Sequence, residues 1–216
     1  MEGARKARAL AIGFAWILCG ASAQSALAAK AVGYSLPASF FTRNCTTEQK
    51  KIVQTAATEA KRFLIDGRSD AQFIRWFGPK DGTQASIDVQ NGLEYARYFA
   101  LESLSLIGGA AQSFDGTVTI DCRGGRNSIL AHVTGPGTGI IFLDNPYWTL
   151  PDRPSLQHVS KASVLIHELS HLAGTGDYKE QFGYADDFAF AFDLARWWPG
   201  ASIFNACNHE FYWTGQ

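Results

Sequence analysis

Apolar positions in the first half of the chain recur at helical spacing. Thr46 and Gln49 stand three apart, as in a capping box. Ile52, Val53, Ala56, Ala57, Ala60, Phe63 and Leu64 follow as one stripe that stops at Asp66-Gly67. Trp76-Phe77-Gly78-Pro79 reads as an aromatic anchor ending in a breaker. Val89, Leu93, Ala96, Ala100 and Leu104 predict a second helix, closing at Gly108-Gly109. The pattern then changes to strand chemistry. Thr117-Val118-Thr119-Ile120, Ser128 to Val133 and Gly139 to Leu143 are β candidates, the last two separated by the turn-forming Thr134-Gly135-Pro136-Gly137-Thr138. Pro146, Pro151 and Pro154 mark an irregular connection. Ser160 caps a third helix, whose Val164, Leu165, Leu169 and Leu172 form a buried side. Another helix fits Phe188 to Trp198, and a short one Asn208 to Tyr212. Helices, a small antiparallel sheet, then helices again predict an α+β fold.

The N-terminus has a different logic. Arg5, Lys6 and Arg8 precede an apolar run from Ala9 through Gly20, and Ala26-Leu27-Ala28 offers a small-residue cleavage site. Residues 1–28 are therefore read as a secretory signal peptide, and 29–216 as a single domain. The apolar run is shorter than the roughly twenty residues that a membrane span needs. Losing one acid and three bases with that segment takes the net charge from −1 to −3. Nothing in this balance points to nucleic acid or, after cleavage, to a membrane. A secreted or periplasmic location is expected, and a monomer.

The chemistry is concentrated in His167-Glu168-Leu169-Ser170-His171. Residues four apart share a helix face, so both imidazoles can grip one metal ion while Glu168 projects beside it. A hydrolytic zinc site takes three protein ligands and leaves a position for water. The chain can turn back just past the helix at Gly174 and Gly176, because glycine tolerates positive φ. Asp177 follows and is the third-ligand candidate, with His209, Asp186, Asp187 and Asp193 as alternatives. His132 and His158 are read as surface or satisfied core histidines.

These residues resemble the aspzincin family, the deuterolysins and peptidyl-Lys metalloendopeptidases, whose helical HExxH motif is followed by Gly-Thr-x-Asp. Gly174-Thr175-Gly176-Asp177 is similar to that element, and Asn205-Ala206-Cys207-Asn208-His209-Glu210-Phe211 to the family's Asn-Ala-Asp-Asn-His-Glu-Tyr stretch. Cys45, Trp76-Phe77-Gly78 and Asp121-Cys122 extend the likeness upstream. The resemblance implies a zincin-like endopeptidase with one Zn2+ on His167, His171 and Asp177. In it Glu168 acts as general base toward a zinc-activated water, on protein or peptide substrates. It also implies an oxyanion-binding tyrosine, for which Tyr184 is the candidate and Tyr178 the alternative. The element carrying that tyrosine is disturbed here, and Asp177 lies three residues closer to His171 than the family's aspartate. The spacing is that of metzincins, but their methionine turn is excluded because the only methionine is Met1.

In the lysine-directed relatives two acids of the C-terminal stretch attract the substrate ammonium group. Glu210 matches one and Cys207 replaces the other, which implies a weakened preference for Lys at P1′. The resemblance also pairs Cys45 with Cys122 in a disulfide and leaves Cys207 free. A second disulfide of some relatives is missing, with Gly124 and Leu143 in the neighbouring segments. Two other readings stay open: a zinc hydrolase of cell-wall peptides, and a catalytically silent zinc-binding or interaction protein.

Overall fold

A computed structural model describes residues 42–106, 118–134, 139–154, 159–183 and 187–216. The signal segment, Gly108-Gly109, His158, Asp186 and Tyr184 lie outside them. The described residues belong to one unit, Leu36–Gln216.

The N-terminal helices form where the periodicity places them. Helix α1 (Thr47–Ile65) follows β1 (Thr42–Arg43) and opens on the reciprocal Thr46–Gln49 capping box. Its Val53, Ala56, Ala57, Ala60, Phe63 and Leu64 are buried. The aromatic anchor proves to be the end of a helix of its own, α2 (Asp70–Phe77), capped by Ser69. Only two turns long, it has too few apolar positions to show a period, and packing decides it instead. Trp76 and Phe77 are fully buried. Gly78 ends it at φ 81°, and a Cβ there would run into the ring of Pro199 at 2.5 Å. Helix α3 (Gln84–Leu106) begins a turn before its first expected core residue, Val89.

The sheet corrects the expected topology. Strands β2 (Thr119–Asp121), β3 (Ala131–Val133) and β4 (Ile140–Leu143) join β1 in the order β1-β2-β4-β3. Among the described residues only β3 and β4 pair antiparallel, the turn expected between them lying outside those residues; β1–β2 and β2–β4 are parallel. The reason is connectivity. Among the described residues three helices separate β1 from β2, and such a crossover returns the chain in the same direction. The Cys45–Cys122 disulfide ties the end of β1 to the end of β2.

The segment after β2 is held by charge. Gly124 faces Asp144 rather than the Leu143 side chain, and a Cβ at Gly124 would overlap that carboxylate. Fully buried Asp144 accepts the Arg126 backbone N–H at 2.8 Å and lies 2.6 Å from His132 Nδ1. His132 also stacks on Phe142, so it is a satisfied histidine, as expected.

Helix α4 (Lys161–Leu172) lies at the centre, against α1, α3, β3 and α7 (Ala206–Thr214). Ser160 and Ser163 form its capping box. Buried residues run unbroken from Lys161 to Ile166 and resume at Glu168, so most of its circumference is covered, as in a helix enclosed by protein. Helices α5 (Asp187–Trp197) and α6 (Pro199–Ser202) lead into α7. Asn208 of α7 donates to the carbonyls of Trp76 and Ala191, at 2.6 and 2.9 Å, and so locks α7 to α2 and α5.

Candidate metal centre

The last two turns of α4 present His167 and His171 on one face, with their Nε2 atoms 3.1 Å apart. The helix stops at Ala173, and Gly174 turns the chain at φ 106°. Gly176 is needed for a different reason from the one expected. Its φ is not positive, but a Cβ there would meet the Tyr178 ring and hydroxyl at 2.7 Å. Gly176 is held by parallel bonding to the segment before α7: its N–H donates to Phe204 O and its carbonyl accepts from Ala206 N–H. This clamp delivers Asp177 to the imidazoles. Its Oδ1 lies 3.4 Å from His167 Nε2 and its Oδ2 3.2 Å from His171 Nε2.

The far side of each ring is engaged. His171 Nδ1 lies 3.1 Å from the Thr175 carbonyl, and His167 Nδ1 3.1 Å from Glu210 Oε2. Both partners are acceptors, so each Nδ1 carries the proton and each Nε2 presents a lone pair. Two lone pairs and a carboxylate then converge on one point, an arrangement that repels itself unless a cation occupies the centre. Zinc with ligands at about 2.0–2.1 Å in a tetrahedron needs donor separations of about 3.3 Å. The imidazole nitrogens at 3.1 Å, each with its nearer Asp177 oxygen at 3.2 or 3.4 Å, are close to that spacing. The donor set therefore suits one zinc ion.

A second trio, His167, Asp177 and Cys207, also offers donors within 4.8 Å. Cys207, however, approaches His167 at Nδ1, 3.9 Å away, the nitrogen already engaged by Glu210. Burial pushes its thiol up to about 11, and a neutral thiol is a poor ligand. The Nε2 set is the better one.

Electrostatics follow the same geometry. Burial alone would raise the Asp177 pKa, but where no cation is bound, protonated imidazoles of His167 and His171 hydrogen-bond to it and hold it well below the usual carboxylate range. Burial opposes charge on His167, yet Cys207, Asp177 and Glu210 around it raise its pKa. Glu168 is 4% exposed, and its Oε2 has no hydrogen-bond partner. Burial raises its pKa above the ordinary glutamate value, with His167 and His171 pulling the other way.

Among the alternative ligands, His209 directs Nε2 to the Ile203 carbonyl at 2.7 Å, and burial pulls it down to about 4. Asp187 pairs with Lys179 at 2.6 Å. Glu210 and Cys207, expected at the substrate, both lie buried against His167. The Glu210–His167 bond spans 43 residues and was not expected from the sequence. Periodicity carries no information about such a distant pair.

The family model described as aspzincin, lysine-specific metallo-endopeptidase, matches residues 66–214. Among solved structures, a zinc peptidase from Grifola frondosa superposes with a TM-score of 0.61. It is 20% identical, and the match covers 79% of this chain and 97% of that one. No curated protein matches. Covering more than half of the sequence and including both zinc motifs, the family match supports one conclusion: the chain belongs to the aspzincins, and it is a zinc metalloendopeptidase.

Proposed function

We propose that this enzyme is secreted and hydrolyses internal peptide bonds with one zinc ion on His167, His171 and Asp177 and with Glu168 as general base. One observation carries the reading: two imidazole nitrogens and the Asp177 carboxylate, with contacts of 3.1 to 3.4 Å, converge beside a buried Glu168 carboxylate with an unpartnered oxygen. Bound zinc supplies Lewis-acid polarisation of the scissile carbonyl and acidifies water toward neutrality. Glu168 takes the proton from the attacking water and delivers it to the departing amine. Burial moves its pKa up toward the operating pH, the direction that helps a base that must also act as an acid. Thr175 and Glu210 hold the two imidazoles in the tautomer that leaves Nε2 free. Tyr184 is the proposed hydroxyl donor to the oxyanion. Tyr178 packs its ring onto the Gly176 turn, which favours that choice.

A preference for Lys at P1′ is the proposed specificity. Glu210 Oε1 is buried without a hydrogen-bond partner and is an acceptor suited to an ammonium group. Neutral Cys207 adds no second charge, so the preference is weak. Secretion is supported by the Arg5–Ala28 sequence pattern and by the Cys45–Cys122 disulfide. Among the described residues no helix is long and apolar enough to cross a membrane.

The test is cleavage of a denatured protein substrate with and without chelator, with the cut sites mapped. Loss of activity on chelation and recovery on adding zinc are expected, with cuts enriched before lysine. Chelator-resistant cleavage would reject the metal mechanism, and cuts indifferent to lysine would reject the specificity.

A further inference from the structure

Resting on the reading of His167, His171 and Asp177 as the metal ligands, we infer that Glu210 is the positioning carboxylate of His167, an outer-sphere part of the zinc site. Its Oε2 lies 3.1 Å from His167 Nδ1, and the residue is 4% exposed. The two imidazoles are supported unequally. His171 gives its Nδ1 proton to a neutral backbone carbonyl, whereas His167 gives it to an anionic side chain. A charged acceptor makes the stronger bond and raises the basicity of the opposite nitrogen, which strengthens the metal bond.

The carboxylate is also fixed in place. Helix α7 is pinned in its first turn, by Asn208 to Trp76 and Ala191 and by His209 to Ile203. Cys207 covers the same edge of the imidazole at 3.9 Å. Removing the carboxylate therefore leaves a buried Nδ1–H that the surrounding helix cannot move to satisfy. Glu210 thus engages His167 through Oε2, while its Oε1 is buried and has no hydrogen-bond partner. Substitution weakens the metal site even where no substrate is present.

The experiment is a zinc competition titration, against a chromophoric chelator, of the full-length protein, Glu210→Gln and Glu210→Ala, together with visible spectra of their cobalt(II) forms. Zinc affinity is expected to fall about 10–100-fold in Glu210→Ala. Glu210→Gln, which keeps a neutral acceptor oxygen at the same reach, is expected to recover part of that loss. The cobalt bands of both variants are expected to shift from those of the parent, while the circular dichroism of the metal-free forms stays the same. The isosteric Glu210→Gln carries the test alone if Glu210→Ala does not fold. Zinc affinities within twofold of the parent and unshifted cobalt bands would overturn the inference. Failure of the parent protein itself to bind one equivalent of zinc would overturn the ligand reading on which it rests.

Discussion

Replacing Glu168 by glutamine should move activity and stability in opposite directions. The side chain is 4% exposed, one carboxylate oxygen has no hydrogen-bond partner, and burial raises its pKa. In the active enzyme the loss of the base should reduce kcat by about 10²–10⁴-fold. At about 1.4 kcal/mol per tenfold, that is roughly 3–5 kcal/mol of barrier. Zinc binding should persist, because Glu168 is not among the converging donors. In the metal-free protein the same change removes a buried charge and stabilises the fold. A glutamine of the same shape still leaves amide atoms unsatisfied, so the gain is about 1–2 kcal/mol, less than the full desolvation cost. For a chain of this size that corresponds to a rise in Tm of roughly 2–8 °C. The pH dependence gives the sign. A carboxyl whose folded pKa is raised contributes most below its unfolded pKa, and that contribution is lost as pH rises through the folded value. The advantage of Glu168→Gln should therefore be absent near pH 4 and grow as pH rises through the folded value. Peptide-cleavage kinetics and thermal unfolding of the chelated proteins measure both arms. A variant that cleaves like the parent, or that is less stable at neutral pH when metal-free, would refute the reasoning.

Three further outcomes test the surroundings of the site. Converting Cys45 and Cys122 to serine opens a loop with a sequence separation of 77 residues and should cost about 4 kcal/mol of unfolding free energy in urea titrations. An unchanged midpoint would show that the disulfide adds nothing. Asp144→Ala should lower stability by about 2–4 kcal/mol, since it strands the Arg126 N–H and His132 Nδ1 beneath the loop; denaturation curves check this. Gly176→Ala should displace the Tyr178 ring, because the backbone of residue 176 is clamped to Phe204 and Ala206 and cannot retreat. Misplacing the neighbouring Asp177 should then cost on the order of tenfold or more in zinc affinity and kcat, and parent-like values of both would contradict it.

Local pattern alone was enough for the parts of this molecule that are encoded within a few residues. The i, i+4 histidines, the capping box of α1, the Ser160 cap of α4, the glycine after α4 and the helical stripes depend on backbone geometry over one or two turns. The family pairing of Cys45 with Cys122 was likewise readable by resemblance, and the disulfide forms. Helix α2 was missed because two turns carry no usable period, and its aromatic residues find their place only against α5 and α7. The mixed sheet was misjudged because strand direction is set by the crossover through three helices, not by the strands' own residues. Asp144 beside Gly124, and Glu210 behind His167, are meetings of distant segments that no short window contains. Residue types and spacing determined which groups could hold a metal. Tertiary packing decided their tautomers, their burial and the carboxylate that supports them, because hydrogen-bond partners and solvent exclusion come from whatever chain folds across them.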